Sequence, residues 1–281
     1  MRAGGVGGLT RWALWPALLW TGLLFAAPLM VTLAISFTEH GGGAFTLDNY
    51  SGFVTRSDGA FLGALLNSIE VTVTVTVLSV PLAYPLAYVL AYQTPPRWQR
   101  VLLVMLILPF WTSYVIRSYS WLVVLSKNGV INQVLLAAGL LDAPIEFGNG
   151  RGATVLGFVH FFVMLLTLTI YANLVQIKES YRKAAADLGA SSLQTFLHVT
   201  LPLSLPGVAV GAFTTFVLAI GDYITPQILG GGRELLLPQA IMLQIERRAD
   251  FPMAAALSMI LMLVVSAAYL LFARHLKMER V

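Results

Sequence analysis

Six long apolar stretches constrain what this chain can fold into more than any other feature. They cover residues 12–37, 65–91, 101–125, 153–176, 203–229 and 252–273. Each exceeds the roughly 20 apolar residues that an α-helix needs to cross a bilayer. Charged residues make up only 11% of the chain and the mean hydropathy is +0.80, whereas soluble domains carry about 25% charged residues. The sequence therefore predicts an all-α polytopic membrane protein with six transmembrane helices.

Two of these stretches need a closer reading. The second contains a β-branched block, 71–77, that would favour a strand in a soluble protein. In lipid an isolated strand leaves its backbone groups unpaired, so a helix is predicted instead. The first follows a basic tail, as a signal peptide does, but it is longer than the usual 7–15-residue apolar core. We therefore expect it to be a retained membrane span.

The polar segments between the spans are short. Residues 38–63 are predicted to form a loop, and residues 94–100 a tight basic turn. A second loop, 126–152, is expected to contain a short helix near 130–140. No internal repeat is visible, so we expect residues 1–281 to form a single transmembrane domain.

The distribution of basic residues predicts the orientation, because cytoplasmic loops carry an excess of Lys and Arg. The two tails and the loops at 93–100 and 177–201 hold ten of the 17 basic residues and three acids. The opposite loops hold six basic residues and eight acids. Both termini and the 177–201 loop are therefore expected on the cytoplasmic side.

That second cytoplasmic loop, with flanking residues 178–202, has the pattern of two short helices. Four residues share one helical face at the spacing i, i+3, i+4 and i+7: Tyr181, Ala184, Ala185 and Leu188. Gly189 follows, a residue that can close a helix in the left-handed conformation. Ser191 and Gln194 have the spacing of a capping box for a second helix, and Pro202 is expected to mark its limit.

This loop resembles the cytoplasmic loop of ABC-importer permeases, in which Glu-Ala-Ala precedes Gly and then Ile-x-Leu-Pro. The matching residues are Lys183, Ala184, Ala185, Asp187, Gly189, Leu201 and Pro202. Lys183 departs from the pattern, which usually has Glu there, and so puts the usual ionic contact with an ATPase in doubt. Similarity to spermidine/putrescine-type permeases extends through LPFWTSYVIRSY at 108–119 and GDYITPQILGG at 221–231.

The resemblance implies a type I importer permease with a core of about residues 65–273 and a coupling loop at 178–202. It also implies a bacterial inner-membrane location and several partners. These are a dimeric ABC ATPase that binds ATP and Mg, a second permease, and an external solute-binding protein. The resemblance favours a second permease of different sequence, so that the two permeases form a heterodimer. The chain itself lacks a Gly-x-x-x-x-Gly-Lys-Ser/Thr phosphate loop. It is therefore expected to be neither an enzyme nor a cofactor-binding protein.

Other ligand classes receive little support from the sequence. The chain has no cysteine and its four histidines are scattered, so no metal site is predicted. A formal net charge of +4 does not indicate nucleic acid, because its distribution follows the membrane topology.

Ionisable residues inside spans are costly and hence candidates for function. Six residues are predicted to line a translocation path: Glu70, Trp111, Tyr114, Arg117, Asp222 and Tyr223. Asp222 lies between Gly221 and Pro226, where a helix is weakened, and interrupted helices commonly line binding sites. Carboxylates with aromatic rings suit an organic cation. Alternatively, the aromatic residues are interface anchors, Asp222 pairs with Arg117, and Glu70 contacts water.

Three classes of function remain open from the sequence. The first is the membrane subunit of an ATP-driven importer for a small organic cation, with a polyamine as the favoured cargo. Its alternative cargoes are an opine, an amino-acid derivative or a phosphonate. The second is an ion-coupled secondary transporter, which the coupling loop and the lack of an inverted repeat disfavour. The third is a membrane enzyme or scaffold, for which no polar cluster at one membrane face is evident.

Overall fold

The computed structural model describes residues 15–41, 43–55, 59–232 and 234–276, with side chains described as far as residue 273. Most of these residues are helical. The helices are, in chain order, α1 (Trp15–Ser36), α2 (Asp48–Thr55), α3 (Ala60–Gln93), α4 (Pro96–Trp111), α5 (Tyr114–Leu125), α6 (Val130–Ala137), α7 (Arg151–Leu174), α8 (Glu179–Asp187), α9 (Ser192–Ile220), α10 (Ile224–Leu229), α11 (Leu237–Glu246) and α12 (Phe251–Leu276).

The described helices account for the six predicted spans. Five of them, α1, α3, α7, α9 and α12, are each long and apolar enough to cross a membrane. The sixth candidate is a broken one, in which α4 and the segment Tyr114–Ala137 meet at an angle of 93°. Pro109 lies at this break, inside a 3₁₀ turn, Leu108–Trp111. The prediction of an all-α polytopic membrane protein is confirmed.

Two helices begin or end at other residues than the sequence predicts, and both differences lie at prolines. The predicted basic turn at 94–100 is shorter in the structure, because Pro96 begins α4. Proline fits the first turn of a helix, where its missing N–H has no helical partner to lose. Pro202 was expected to end the second loop helix, and this prediction is wrong. A five-residue π-helical turn, Phe196–Thr200, precedes Pro202, and the helix continues without a break to Ile220.

The structure also contains two short helices, α2 and α11, that were not predicted from the sequence. The segment 38–63 was predicted to be a loop, yet it contains α2. Asp48 lies in the first turn of α2, where a negative charge is favoured by the helix dipole. The helix α11 was likewise not predicted. The short helix expected near 130–140 is confirmed as α6.

The chain divides into two compact units. The first comprises 1–62 and 240–263, and the second comprises 63–239 and 264–281. In the first unit, the buried Asn49 of α2 donates hydrogen bonds to the carbonyls of Ser36 (3.0 Å) and Thr38 (2.9 Å). These bonds fix α2 to the end of α1.

The predicted basic tail residues Arg2, Arg11, Lys277 and Arg280 lie outside the described residues.

The second unit is built around α7. Its buried side chains pack against α3 and α9 in two core clusters, one containing Val75, Phe158 and Phe162 and the other Ala83 and Leu166. A close approach of α9 to α7 is possible because two small residues are spaced four apart. A Cβ atom on Gly207 would lie 2.4 Å from Cβ of Asn173, and one on Gly211 would lie 2.8 Å from Cδ2 of Leu166. Small residues at this spacing are a common means of packing helices in membranes.

Candidate functional site

The predicted coupling loop begins with α8, which ends in a closed turn. Gly189 has φ of +81°, a conformation that other residues adopt only with strain. Its N–H donates to the carbonyl of Ala186 (2.9 Å), and the N–H of Ala190 donates to the carbonyl of Ala185 (3.0 Å). This pair of bonds is the Schellman motif that satisfies the last carbonyls of a helix. The sequence-based role of Gly189 as the helix terminator therefore agrees with the geometry.

The next helix begins with the predicted capping box. The hydroxyl of Ser191 accepts from the backbone N–H of Gln194 (3.3 Å), and the side-chain oxygen of Gln194 accepts from the N–H of Ser191 (2.8 Å). Because this helix is α9 itself, the loop has no flexible connection to the following span. A displacement of the loop would therefore be carried directly into α9.

The loop residues named from the sequence lie on this module. Lys183, Ala184 and Asp187 are exposed, and Ala185 is half-buried. Leu201 and Pro202 lie in the α9 helix, after its π-helical turn. Nζ of Lys183 lies 3.3 Å from Oε1 of Glu179, one helical turn earlier. Both of these side chains are exposed, so the pair is available to other partners.

A hydrophobic side chain adjoins this charged surface. The side chain of Leu188 is 89% exposed at the end of α8. Beside it lies an open groove of about 400 Å³ whose lining includes Ala185, Gln194 and His198. The groove together with this exposed leucine, on a segment between two spans, offers a concave surface against which another protein could pack.

The second candidate site lies where α9 stops. Asp222 follows the end of α9 at Ile220, and its Oδ1 accepts a hydrogen bond from the N–H of Ile224 (2.8 Å), at the start of α10. The hydroxyl of Tyr114, on α5, donates to Oδ2 of Asp222 and is also hydrogen-bonded to the hydroxyl of Thr225. The helix interruption predicted at 221–226 is thus present, and it holds a carboxylate against a tyrosine.

Arg117 belongs to the same neighbourhood but has a different partner. Its Nη1 donates to the carbonyl of Pro109 (3.1 Å), at the break of the bent span. Its guanidinium lies 4.6 Å from the ring centroid of Phe161 and 5.0 Å from that of Tyr114. The sequence left open a pairing of Arg117 with Asp222, but in the structure Tyr114 holds the carboxylate.

The other path candidates lie outside this cluster. The side chain of Trp111 is 87% exposed and borders an apolar hollow with Val104 and Leu108, which suits contact with lipid or protein. Tyr223 is half-buried at the entrance to α10. Both residues retain their sequence-based status as path candidates.

Glu70 is an exposed residue in an ion-pair cluster. Its Oε2 lies 2.7 Å from Nη2 of Arg151, whose Nε lies 3.5 Å from Oε2 of Glu234. The arginine thus connects α3, the start of α7 and the segment before α11. This arrangement favours a structural role for Glu70, and its predicted contact with water is compatible with a side chain 65% exposed.

Several residues of the cluster were not singled out from the sequence. Thr225 lies within the motif GDYITP and could have been included for its hydroxyl. Phe161 carries no local signal, because its contact with Arg117 joins distant parts of the chain. The same holds for His160, whose Nδ1 accepts from Nε1 of Trp121 (3.2 Å). Among the described residues, no group of three or more His, Asp or Glu side chains could hold a metal ion.

Residues 60–278 match the family described as "Binding-protein-dependent transport system inner membrane component". The chain belongs to this family. The match begins at the first residue of α3 and covers the whole region predicted as the permease core, about residues 65–273.

Three curated relatives of this chain are transport permeases. The spermidine/putrescine transport system permease protein PotB of Salmonella typhimurium (strain SL1344) is 32% identical over 64% of this chain and 63% of its own length. PotB of Escherichia coli (strain K12) is 33% identical over 64% of this chain and 66% of its length. The inner membrane ABC transporter permease protein YdcU of the same organism is 34% identical over 62% of this chain. The matched region is thus a little under two thirds of the PotB relatives.

Solved structures confirm the fold. A chain of a bacterial ABC transporter involved in import of the acidic polysaccharide alginate superimposes with a TM-score of 0.77. The match covers 98% of this chain and 96% of that chain at 18% sequence identity. At that identity the similarity describes the architecture alone, and it establishes the importer-permease fold that the sequence predicted.

Proposed function

We propose that this protein is a membrane subunit of an ATP-driven importer that carries a polyamine across the bacterial inner membrane. ATP is hydrolysed on a separate dimeric ATPase, which binds the nucleotide and Mg. An external solute-binding protein delivers the cargo, and a second, different permease completes the pathway. The observation that carries this proposal is the coupling module, a capped helix joined rigidly to a membrane span.

The module explains how an ATPase could drive transport. Exposed Leu188 and the groove beside it provide an apolar contact for another protein. The Schellman turn at Gly189 and the capping box at Ser191 make the loop a defined shape. Closure of the ATPase subunits would displace α8, and the continuous helix α9 would transmit this displacement into the membrane. Such rigid-body movements are an established way to switch a protein between two states.

A polyamine is the favoured cargo for two reasons. Two of the curated relatives reported above, 32% and 33% identical to this chain, are spermidine/putrescine transport system permease proteins. In addition, the interrupted span presents the Asp222 carboxylate beside the aromatic ring of Tyr114. A carboxylate attracts an ammonium group, and an aromatic ring adds a cation–π contact worth about 0.5–2 kcal/mol.

A second class of cargo is favoured by one specific observation. Arg117 lies against the same tyrosine ring, 5.0 Å from its centroid. A positive and a negative group within one cluster would suit a solute that carries both an amino and an anionic group, such as an opine or amino-acid derivative. Discrimination between the cargoes depends also on the solute-binding protein, which is a separate chain.

The proposed orientation places both termini and the coupling module in the cytoplasm. It is supported by the excess of basic residues on that side of the sequence. Lys178, Arg182 and Lys183 all belong to the module or its immediate start.

The experiment that tests the function is ATP hydrolysis by the complex that co-purifies with this chain, reconstituted in lipid with its binding protein. We expect hydrolysis to be stimulated when binding protein and spermidine are both present. Stimulation by a different solute alone would retain the importer and exclude the polyamine. Absence of any co-purifying ATPase would contradict the importer and favour an ion-coupled transporter, which would take up solute under an ion gradient without ATP.

A further inference from the structure

Arg182 is less exposed than the other charged residues of α8, the first helix of the coupling loop and here called the coupling helix. Glu179, Lys183 and Asp187 are exposed at intervals of four residues, whereas Arg182 is half-buried. Its guanidinium carbon lies 4.0 Å from the ring centroid of Tyr92, at the end of α3. This cation–π contact therefore connects the coupling helix α8 to a third membrane span, α3, in addition to its covalent connection to α7 and α9.

Tyr92 is itself bound to the end of a third helix. Its hydroxyl donates a hydrogen bond to the carbonyl of Leu174, the last residue of α7 (2.8 Å). Leu174 is completely buried. A movement of Arg182 would thus act on α3 through the tyrosine ring and on α7 through the tyrosine hydroxyl.

Near this contact, both α3 and α9 change from α-helical to π-helical hydrogen bonding. Tyr92 lies within a π-helical turn, Val89–Gln93, and a second π-helical turn occupies Phe196–Thr200 in α9. The two turns are connected by aromatic contacts, with ring centroids 5.1 Å apart for Tyr88 and Tyr92 and 5.5 Å apart for Tyr88 and Phe196. Isolated π-helical turns are often found at functional sites and at helix bends.

Space for movement exists at the same place. A cavity of about 350 Å³ is lined by Tyr88, Tyr92, Arg182, Ser192 and Thr195, among others. It lies between the coupling helix and the ends of α3 and α9. Arg182 and Tyr92, which contact each other, both lie in the lining of this cavity.

We infer that Arg182 and Tyr92 form the contact through which movement of the coupling helix reaches α3 and α7. They are positioning residues: if the loop contacts an ATPase, as proposed above, they relay its displacement to α3, which is not adjacent to the loop in the chain, and to the last residue of α7. The role is best filled by the planar guanidinium, which stacks on an aromatic ring, whereas the ammonium group of lysine makes only part of this contact.

The experiment compares spermidine uptake per ATP hydrolysed in vesicles that contain the co-purified complex and its binding protein. Arg182→Gln and Tyr92→Leu are each expected to lower this ratio by about fivefold, the effect of losing one such contact. Arg182→Gln should have no further effect when Tyr92→Leu is already present, because both changes remove the same interaction. Arg182→Lys should give an intermediate ratio.

The matched control is Arg100→Gln, which removes a basic charge from an exposed position on α4. It should leave the ratio unchanged. The inference is overturned if Arg182→Gln behaves like this control, or if it lowers the ratio equally with and without Tyr92→Leu. Co-purification of the ATPase reports on assembly, and where Arg182→Gln reduces it, the same comparison is made with Arg182→Lys.

Failure of this inference is distinguishable from failure of the proposed function. An unmodified complex that shows no hydrolysis stimulated by binding protein and spermidine contradicts the importer itself. An unmodified complex that is stimulated normally, combined with an Arg182→Gln variant of unchanged uptake per ATP, contradicts only the role of Arg182 and Tyr92.

Discussion

The hydroxyl of Tyr114 donates a hydrogen bond to Oδ2 of Asp222 across 108 residues of sequence. The two residues stand at two interruptions of membrane helices, one at the break after α4 and the other between α9 and α10. Interrupted helices free backbone groups and leave room for polar side chains. Here the carboxylate uses one oxygen to accept from the N–H of Ile224, the first residue of α10, and the other to accept from the tyrosine, so both its charge and its hydrogen bonds contribute to the site.

Replacing Asp222 separates these two contributions. Asp222→Asn retains an oxygen that can accept from the N–H of Ile224, so the hydrogen bond at the start of α10 should be kept. The negative charge is lost, and spermidine uptake should fall about tenfold, which corresponds to roughly 1.4 kcal/mol of charge interaction. Uptake of radiolabelled spermidine into vesicles, with the amount of assembled complex as reference, measures this effect.

Tyr114→Phe is the matched control for that change. It removes the hydrogen bond to Asp222 but keeps both the carboxylate and the aromatic ring. We expect it to retain most of the uptake. Equal loss in both variants would assign the pair a structural role, and normal uptake with Asp222→Asn would remove Asp222 from the path.

Packing of α9 against α7 depends on Gly207. A Cβ atom there would meet the Cβ of Asn173 at 2.4 Å, so Gly207→Ala requires the two helices to separate. Overpacking of this kind typically costs about 1–3 kcal/mol of stability. Thermal unfolding of the complex in detergent should therefore begin at a lower temperature than for the unmodified protein.

Gly152→Ala provides the comparison, because the same substitution is made in a helix where an added Cβ has nothing within 4 Å. Alanine favours the helix over glycine by about 1 kcal/mol. Gly152→Ala should be neutral or slightly stabilising. Equal thermal stability of Gly207→Ala and Gly152→Ala would show that the close approach at Gly207 does not contribute.

The coupling module could be predicted from the sequence because its signals are local. The Schellman turn joins residues at most five apart, and the capping box joins residues three apart. The apolar stretches located the spans for the same reason, since hydropathy is a property of continuous segments. Pro202 misled the prediction because a π-helical turn, which has no sequence signature, precedes it and lets the helix continue.

The candidate path could be predicted only in part. Asp222 and Tyr114 were identified as polar or aromatic residues inside spans, but their contact depends on how α5 and α10 pack. Glu70 was assessed alone, although its environment is set by Arg151, which is far away in the chain and also contacts Glu234. Such three-way contacts arise from tertiary packing, which spacing within one segment does not encode.

The left-handed conformation of Gly189 leads to a further prediction. Gly189→Val places a β-branched side chain at φ of +81°, where such residues are strained, although no neighbouring atom lies within 4 Å of the added Cβ. We expect ATP hydrolysis to continue while spermidine uptake per ATP falls severalfold, because the turn between α8 and α9 is distorted. The ratio of spermidine uptake to ATP hydrolysis in vesicles measures this loss of coupling.

Gly189→Asn tests whether conformation is the cause. Asparagine tolerates the left-handed region better than other residues with a side chain. This variant should retain most of the coupling. If valine and asparagine reduce the ratio equally, the side chain itself disturbs a contact with the ATPase, and the turn geometry is not the reason.

Lys183 carries the charge that departs from the usual permease pattern. It is paired with Glu179 at 3.3 Å, and both side chains are more than two thirds exposed. An exposed pair at this spacing contributes only about 0.3–0.5 kcal/mol, so Lys183 can exchange Glu179 for a partner at little cost. We expect it to contact an acidic group on the ATPase. Lys183→Glu should then weaken co-purification of the ATPase more than Lys183→Gln does.

Salt concentration provides the check on this charge. Exposed charges are screened over about 10 Å at 0.1 M salt and over about 3 Å at 1 M. The difference in ATPase co-purification between Lys183→Glu and Lys183→Gln should therefore shrink as salt is raised during purification. A complex that becomes tighter with Lys183→Glu would contradict the prediction, since it would mean that the ATPase presents a basic group at this position and that Lys183 weakens the contact in the natural protein.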